Sequence, residues 1–221
     1  MPLPPPSPSD GPPPSPPPAG LLVLVAGDEM TRSAAVSVAG SGGYELRGYA
    51  AIEAAAAARP AGPACLIYDA VLKPVGPTPA EAARSAGLAC PVVLVTPPTT
   101  VRAAVRAMEA GAAAVLEKPC GASDLLPRVA RGLAADAERI ERQRAVRDAE
   151  GRLRRLTEKE QETLALILMG KTNREIADDL GLSVRAVEDR RSRTIKRAGA
   201  ANLLDLVRIV HEAGWSRRPA A

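Results

Sequence analysis

The sequence predicts an α/β doubly wound unit, built on a five-stranded parallel sheet and joined by a long helix to a small all-α unit. Three observations carry this. Five short apolar runs alternate with helix-forming segments between residues 21 and 135, the pattern of strands buried on both faces with crossover helices between them. From Ala122 to about Leu153 the chain is helix-forming almost throughout. Between Leu156 and Arg197, capping residues and glycine stops recur at the spacings of three short helices. The expected organisation is a proline-rich tail over 1–20, the α/β unit over 21–135, a connecting helix over 136–155 and the helical unit over 156–221.

Residues 1–20 hold 11 prolines. Such a stretch makes neither helix nor ladder hydrogen bonds and is expected to be an extended, solvated tail; display of PxxP-like ligands is the other reading. Leu21 to Ala26 (LLVLVA) is the first strand, followed by a helix over Thr31–Ala39 that stops near Gly40, Gly42 and Gly43. Tyr44–Tyr49 is the second strand, followed by an Ala-rich helix to about Arg59. Ala64–Tyr68 (ACLIY) is the third and stops at Asp69. A loop with Pro74, Pro77 and Pro79 leads to a short helix near Glu81–Ser85. Pro91–Val95 (PVVLV) is the fourth strand, with a helix over about Thr100–Ala110, and Ala112–Leu116 is the fifth. The next helix starts near Ser123. Its stripe of Leu126, Val129, Leu133, Ile140, Val146, Leu153 and Leu156, with Arg and Glu on the flanks, suits pairing with a second copy; a single solvated helix is the alternative.

The helical unit begins at Thr157, whose spacing to Glu160 is that of a capping box, and Gly170 closes its first helix. Thr172 and Glu175 repeat the device, and Gly181 ends that helix. Ser183 caps a third helix, on which Val184, Val187 and Ile195 are expected to face inward. Arg185, Glu188, Asp189, Arg190, Ser192, Arg193, Lys196 and Arg197 are left facing out. Two short helices around a glycine-containing turn, the second with a basic outer face, make a helix-turn-helix pattern whose second helix enters a DNA major groove. The same pattern describes a small bundle with a solvated charged face.

The blocks LTEKEQETL and GKTNREIADDLGLSVRAVEDRRSRTIKRAG resemble the output domain of LuxR-type response regulators of the NarL/FixJ group, from about Leu156 to Gly214. The resemblance implies a four-helix domain binding double-stranded DNA as a homodimer, its last helix being Leu203–His211. It also implies base contacts near Arg185, Glu188, Asp189 and Ser192. Phosphate contacts would come from Arg190, Arg193, Lys196 and Arg197, with Lys171 and Arg174 touching the backbone from the second helix. Glu188 and Asp189 are acids where relatives often carry Lys or apolar residues. An acid can accept from cytosine N4 but repels phosphates.

In the α/β unit, function gathers at the carboxyl ends of the strands. Asp69, Thr96 and Lys118 occupy those ends, and a carboxylate, a hydroxyl and an ammonium together could hold a phosphoryl group. With GYEL, AMEAGA and EKP around them, these residues resemble a receiver domain of the response-regulator superfamily, a flavodoxin-like fold, over about Leu21–Ala135. The resemblance implies that Asp69 is the phosphoacceptor, Thr96 the switch hydroxyl and Lys118 the phosphate-contacting lysine. Receivers also carry two adjacent acids after the first strand, which hold Mg²⁺. Here the paired positions are Ala26 and Gly27, or Gly27 and Asp28 with a one-residue deletion, so Asp28 is the one candidate metal ligand and no cofactor is required. Val115 stands at the aromatic switch position, and the loop after Asp69 carries an insertion. Two readings follow. In one, a partner histidine kinase phosphorylates Asp69 and gates DNA binding. In the other, which we favour, the receiver is degenerate and Asp69 and Lys118 form a structural ion pair.

Charge follows the same division. Residues 151–221 hold 15 Lys/Arg against 10 Asp/Glu, and residues 1–150 hold 14 against 15, so the basic surplus lies on the DNA-binding half. Cys65, Cys90 and Cys120 lack zinc-ligand spacing and fit a reduced cytoplasmic chain. No run is long enough to span a membrane. With one histidine and no nucleophile–base pair, an enzyme is not expected. The trihelical unit also resembles region four of sigma factors, which leaves docking on RNA polymerase or another protein as an alternative.

Overall fold

The computed structural model describes residues 20–25, 27–58, 62–71 and 76–215. The proline-rich tail therefore lies outside the described residues up to residue 19, as do Ala26 and part of the loop after Asp69. Gly20, expected in the tail, is buried, and its carbonyl accepts the Glu45 N–H at 3.0 Å. The chain divides into two compact units, 1–137 and 138–221, and the division falls inside one helix.

In the first unit the strands are β1 (Leu21–Val25), β2 (Glu45–Tyr49), β3 (Ala64–Asp69), β4 (Val92–Thr96) and β5 (Ala114–Glu117). All pair in parallel in the order β2-β1-β3-β4-β5. The crossover helices are α1 (Glu29–Gly42), α2 (Ile52–Ala57), α3 (Pro79–Ser85), α4 (Val101–Glu109) and α5 (Ala122–Leu153). Strand residues alternate between two cores, as the two-residue period demands. Leu22, Leu24, Cys65, Ile67, Val93 and Val95 pack under α1 and α5 with Val38, Leu125 and Val129. Val23, Val25, Leu66, Val92 and Leu94 face α2, α3 and α4 with Ile52, Ala80 and Ala103. Gly132 permits the close approach of α5 to β3, because a Cβ there would stand 2.9 Å from the Cys65 sulfur. The buried Asp136 carboxylate, also on α5, accepts the Ala64 N–H that opens β3.

Several boundaries differ from the sequence reading for local reasons. Helix α1 starts at Glu29 because Asp28 caps it. Strand β4 starts at Val92 because Pro91 has no N–H and contributes only its carbonyl, to Leu66 N–H at 2.8 Å. Strand β5 starts at Ala114 because the Ala112 N–H is spent closing α4 on the Ala107 carbonyl.

The second unit comprises the end of α5, then α6 (Glu158–Leu168), α7 (Asn173–Leu180), α8 (Val184–Arg197) and α9 (Leu203–Glu212). Both expected capping boxes form, at Thr157/Glu160 and Thr172/Glu175, and Gly181 ends α7 with φ +64°, a left-handed position that favours glycine. Ala149, Leu153 and Leu156 pack with Leu164, Ala198, Leu206 and Ile209; Leu166, Ile167, Ile176 and Val187 form a second core. Val184 does not face inward. It is 42% exposed at the tip of α8, and Leu182 from the turn packs on that core instead.

Candidate functional site

Parallel register brings the polar strand ends together. Asp69 ends β3 opposite Val95, and Thr96 ends β4 opposite Glu117. The next residue, Lys118, is tied back by its N–H to the Thr96 carbonyl at 2.9 Å. Its ammonium then lies 2.6 and 2.8 Å from the two Asp69 carboxylate oxygens and 2.9 Å from Asp28 Oδ2. Asp28 is bound twice more: its other oxygen accepts the Thr31 N–H at 2.9 Å, and its own N–H donates to Asp69 Oδ2 at 2.9 Å. Every carboxylate oxygen of the pair thus has a donor. The Asp69 side chain is 8% exposed, Lys118 17% and Asp28 51%, so the cluster is buried at Asp69 and open at Asp28.

The electrostatics match the geometry. The Thr31 backbone N–H, then the Lys118 ammonium, hold the Asp28 carboxyl at about 2, below its ordinary 3.8. Burial opposes the charge on Lys118, but the hydrogen bonds from its ammonium to Asp69 and Asp28 outweigh this and its pKa lies above the usual value. Thr96 is fully buried, and among the described residues its hydroxyl has no hydrogen-bond partner. The fold therefore joins Lys118 to Asp69, as the sequence predicts, and adds Asp28, but it hydrogen-bonds the Thr96 hydroxyl to neither. Val115, at the aromatic switch position, is half-buried against the sheet core. Glu117 was not singled out in the sequence; its carboxylate accepts the Thr99 N–H at 2.9 Å and ties the Pro97-Pro98 loop to β5.

The second candidate surface is α8. Ser183 caps it, accepting the Ala186 N–H at 3.2 Å. Arg185, Glu188, Asp189, Ser192, Arg193, Lys196 and Arg197 are exposed, and Arg190 is half-buried. Among the described residues Arg174, Arg185, Arg190 and Lys196 make no ion pair, and Arg193 bonds only the Asp189 carbonyl, at 3.3 Å. Two of the expected phosphate-binding residues are engaged inside the unit: Lys171 pairs with Asp179, and Arg197 with Glu160 at 3.0 Å. Arg191 and Asn173, which the sequence reading passed over, bond each other at 2.7 Å. Glu160 was legible only as half of a capping box.

Among the described residues the three cysteines form no disulfide, and burial pushes the Cys65 thiol far up. Among the described residues there is no cluster of three or more His, Cys, Asp or Glu side chains able to hold a metal ion. No described helix is long and apolar enough to cross a membrane.

Residues 154–210 match the family described as bacterial regulatory proteins, luxR family. The chain is 34% identical over 148 residues to the C4-dicarboxylate transport transcriptional regulatory protein DctR of Rhodobacter capsulatus, covering 66% of this chain and 75% of that one. It is 36% identical over 132 residues to the transcriptional regulatory protein FixJ of Azorhizobium caulinodans, covering 60% and 62%. Among solved structures it is similar to the response regulator StyR, with a TM-score of 0.70, 28% identity, and coverage of 87% of this chain and 98% of that one.

Proposed function

Because this chain belongs to the DNA-binding response regulators of the LuxR/FixJ type, we propose that it controls transcription from discrete operators through α8, with a receiver that does not depend on phosphorylation. The observation that carries the second half is the occupancy of the acidic site. The Lys118 ammonium touches three of the four carboxylate oxygens of Asp69 and Asp28, and the Thr31 N–H takes the fourth. Mg²⁺ needs near-octahedral oxygen ligation, and here a cation would have to displace the ammonium that already lies between the two acids. The donor set does not fit the metal. In this reading Asp69 and Lys118 are a structural ion pair that joins β3 to β5, with Asp28 extending it to α1.

DNA reading is assigned to the unpaired cations of α8 and α7. Arg185 stands at the tip of α8 with Glu188 one turn along; Arg190, Arg193 and Lys196 lie farther down, and Arg174 comes from α7. Tip residues meet base edges, and the later cations meet phosphates. Action as a homodimer is part of the proposal, supported by α9, where Leu204 is 78% and Val207 39% exposed.

One observation favours the conventional reading, in which a histidine kinase phosphorylates Asp69: the Thr96 hydroxyl is buried, has no hydrogen-bond partner among the described residues, and is available to a phosphoryl oxygen. The deciding experiment exposes the full chain to Mg²⁺ and a small acyl-phosphate donor, follows intact mass, and in parallel enriches genomic fragments. We expect discrete enriched sites and no added phosphate. Stoichiometric phosphorylation that disappears in Asp69→Ala would overturn the phosphorylation-independent reading, and enrichment without discrete sites would overturn operator control.

A further inference from the structure

Within α8 only Val187 and Thr194 are fully buried; Ile195 is half-buried on the core and Ala198, just past the last turn, is buried. A short row of mostly small side chains fixes the distance of a helix from its neighbours better than it fixes its rotation. Rotation decides which side chains meet base edges, so polar contacts beside that row bear on it directly.

Two arginines are placed to make them. Arg191 donates to the Asn173 side-chain oxygen at 2.7 Å, and Asn173 is the first residue of α7. Arg197, the last residue of α8, donates to Glu160 Oε2 at 3.0 Å, and Glu160 lies in the first turn of α6. That carboxylate is 6% exposed and also accepts the Thr157 N–H and hydroxyl, each at 2.9 Å. If Arg197 swung out to a phosphate, it would leave a buried carboxylate without its cation, a cost that the gain of one screened phosphate contact does not offset. Arg193 and Lys196, on the same helix, are exposed and have no acid partner among the described residues.

We propose that Arg191 and Arg197 are positioning residues that brace α8 against the first turns of α7 and α6, and that neither neutralises a DNA phosphate. Each brace joins α8 to a different neighbour, so together they fix its tilt and rotation. This inference rests on the operator-specific reading above and refines it: Arg197 leaves the set of expected phosphate contacts, and Arg191 enters the account in another role.

Counterion release separates the two roles. Each phosphate contact contributes about −0.9 to the slope of log affinity against log salt. The test measures that slope for the full chain on an enriched genomic operator and on random duplex, for wild type, Arg191→Ala, Arg197→Ala, Arg197→Lys and Arg193→Ala. For Arg191→Ala and Arg197→Ala the slope should match wild type, while the operator-to-random ratio falls about ten-fold, the discrimination carried by one well-placed base contact. Arg197→Lys, which keeps a cation for Glu160, should recover most of the ratio. Arg193→Ala should show the opposite pattern: a slope shallower by about 0.9 and an intact ratio. If Arg197→Ala does not fold, Arg197→Gln, which keeps a donor, replaces it. A slope shallower by about 0.9 with an unchanged ratio, in either brace variant, would overturn the proposal. The slope on random duplex reads the braces even if wild type prefers no operator, a result that would refute operator control instead.

Discussion

Replacing Lys118 with Met removes the one cation of the acidic cluster while keeping most of the side chain's volume. Asp28 is half exposed and water takes over its open oxygen. Asp69 is 8% exposed and keeps only the Asp28 N–H. Removing one partner of a fully buried ion pair costs about 3–5 kcal/mol. The open side of this cluster places the loss at or just under the low end, about 2–3 kcal/mol. For a unit of this size that lowers the melting temperature by about 10 °C. Differential scanning calorimetry of the full chain should show the first unit's transition moving by that amount while the second unit's stays in place. In a double-mutant cycle, Asp69→Asn should rescue part of the loss, because it removes the stranded charge. A Lys118→Met transition within a degree or two of wild type, or strict additivity with Asp69→Asn, would refute the ion-pair reasoning.

Three further outcomes follow from the same structure. Ile176→Ala opens a cavity in the fully buried core between α7 and α8 and should cost about 3 kcal/mol, read as a lower urea midpoint for the second unit. Thr157→Ala removes a side-chain cap and one arm of the Glu160 network; about 1 kcal/mol should be lost, with faster exchange of the Glu160 amide. Asp28 gives a pH signature: its folded pKa of about 2 lies below the ordinary 3.8, so its contribution is present above 3.8 and is lost as pH falls through about 2. The stability gap between wild type and Asp28→Asn should accordingly be constant above that window and close inside it, and a gap that stays flat down to pH 2 would contradict the assignment.

Sequence patterns identified the elements well because their signals are local. The apolar runs at Leu21, Ala64 and Pro91 could bury both faces only inside a parallel sheet, and Thr157, Thr172 and Gly181 act through neighbours three or four residues away. Asp69 and Lys118 were legible as partners because a doubly wound sheet presents its strand ends along one edge. What was missed depends on distant packing. Asp28 was read only as a candidate metal ligand; in the fold it caps α1 and shares Lys118, a role set by a residue 90 positions away. Glu160 looked like a cap alone, and its bond to Arg197 spans 37 positions. Val184 fits the helical period of an inward residue; only the packing of Leu182 from the turn puts it outside the core.

We propose above that α8 reads DNA without a phosphate on Asp69. The most direct test is the affinity of the full chain for an enriched operator, measured for wild type, wild type with Mg²⁺ and acyl-phosphate donor, and Asp69→Ala. The three affinities should lie within about two-fold of one another, well inside the coupling of a working allosteric switch. A rise of about ten-fold or more with the donor, abolished in Asp69→Ala, would contradict it.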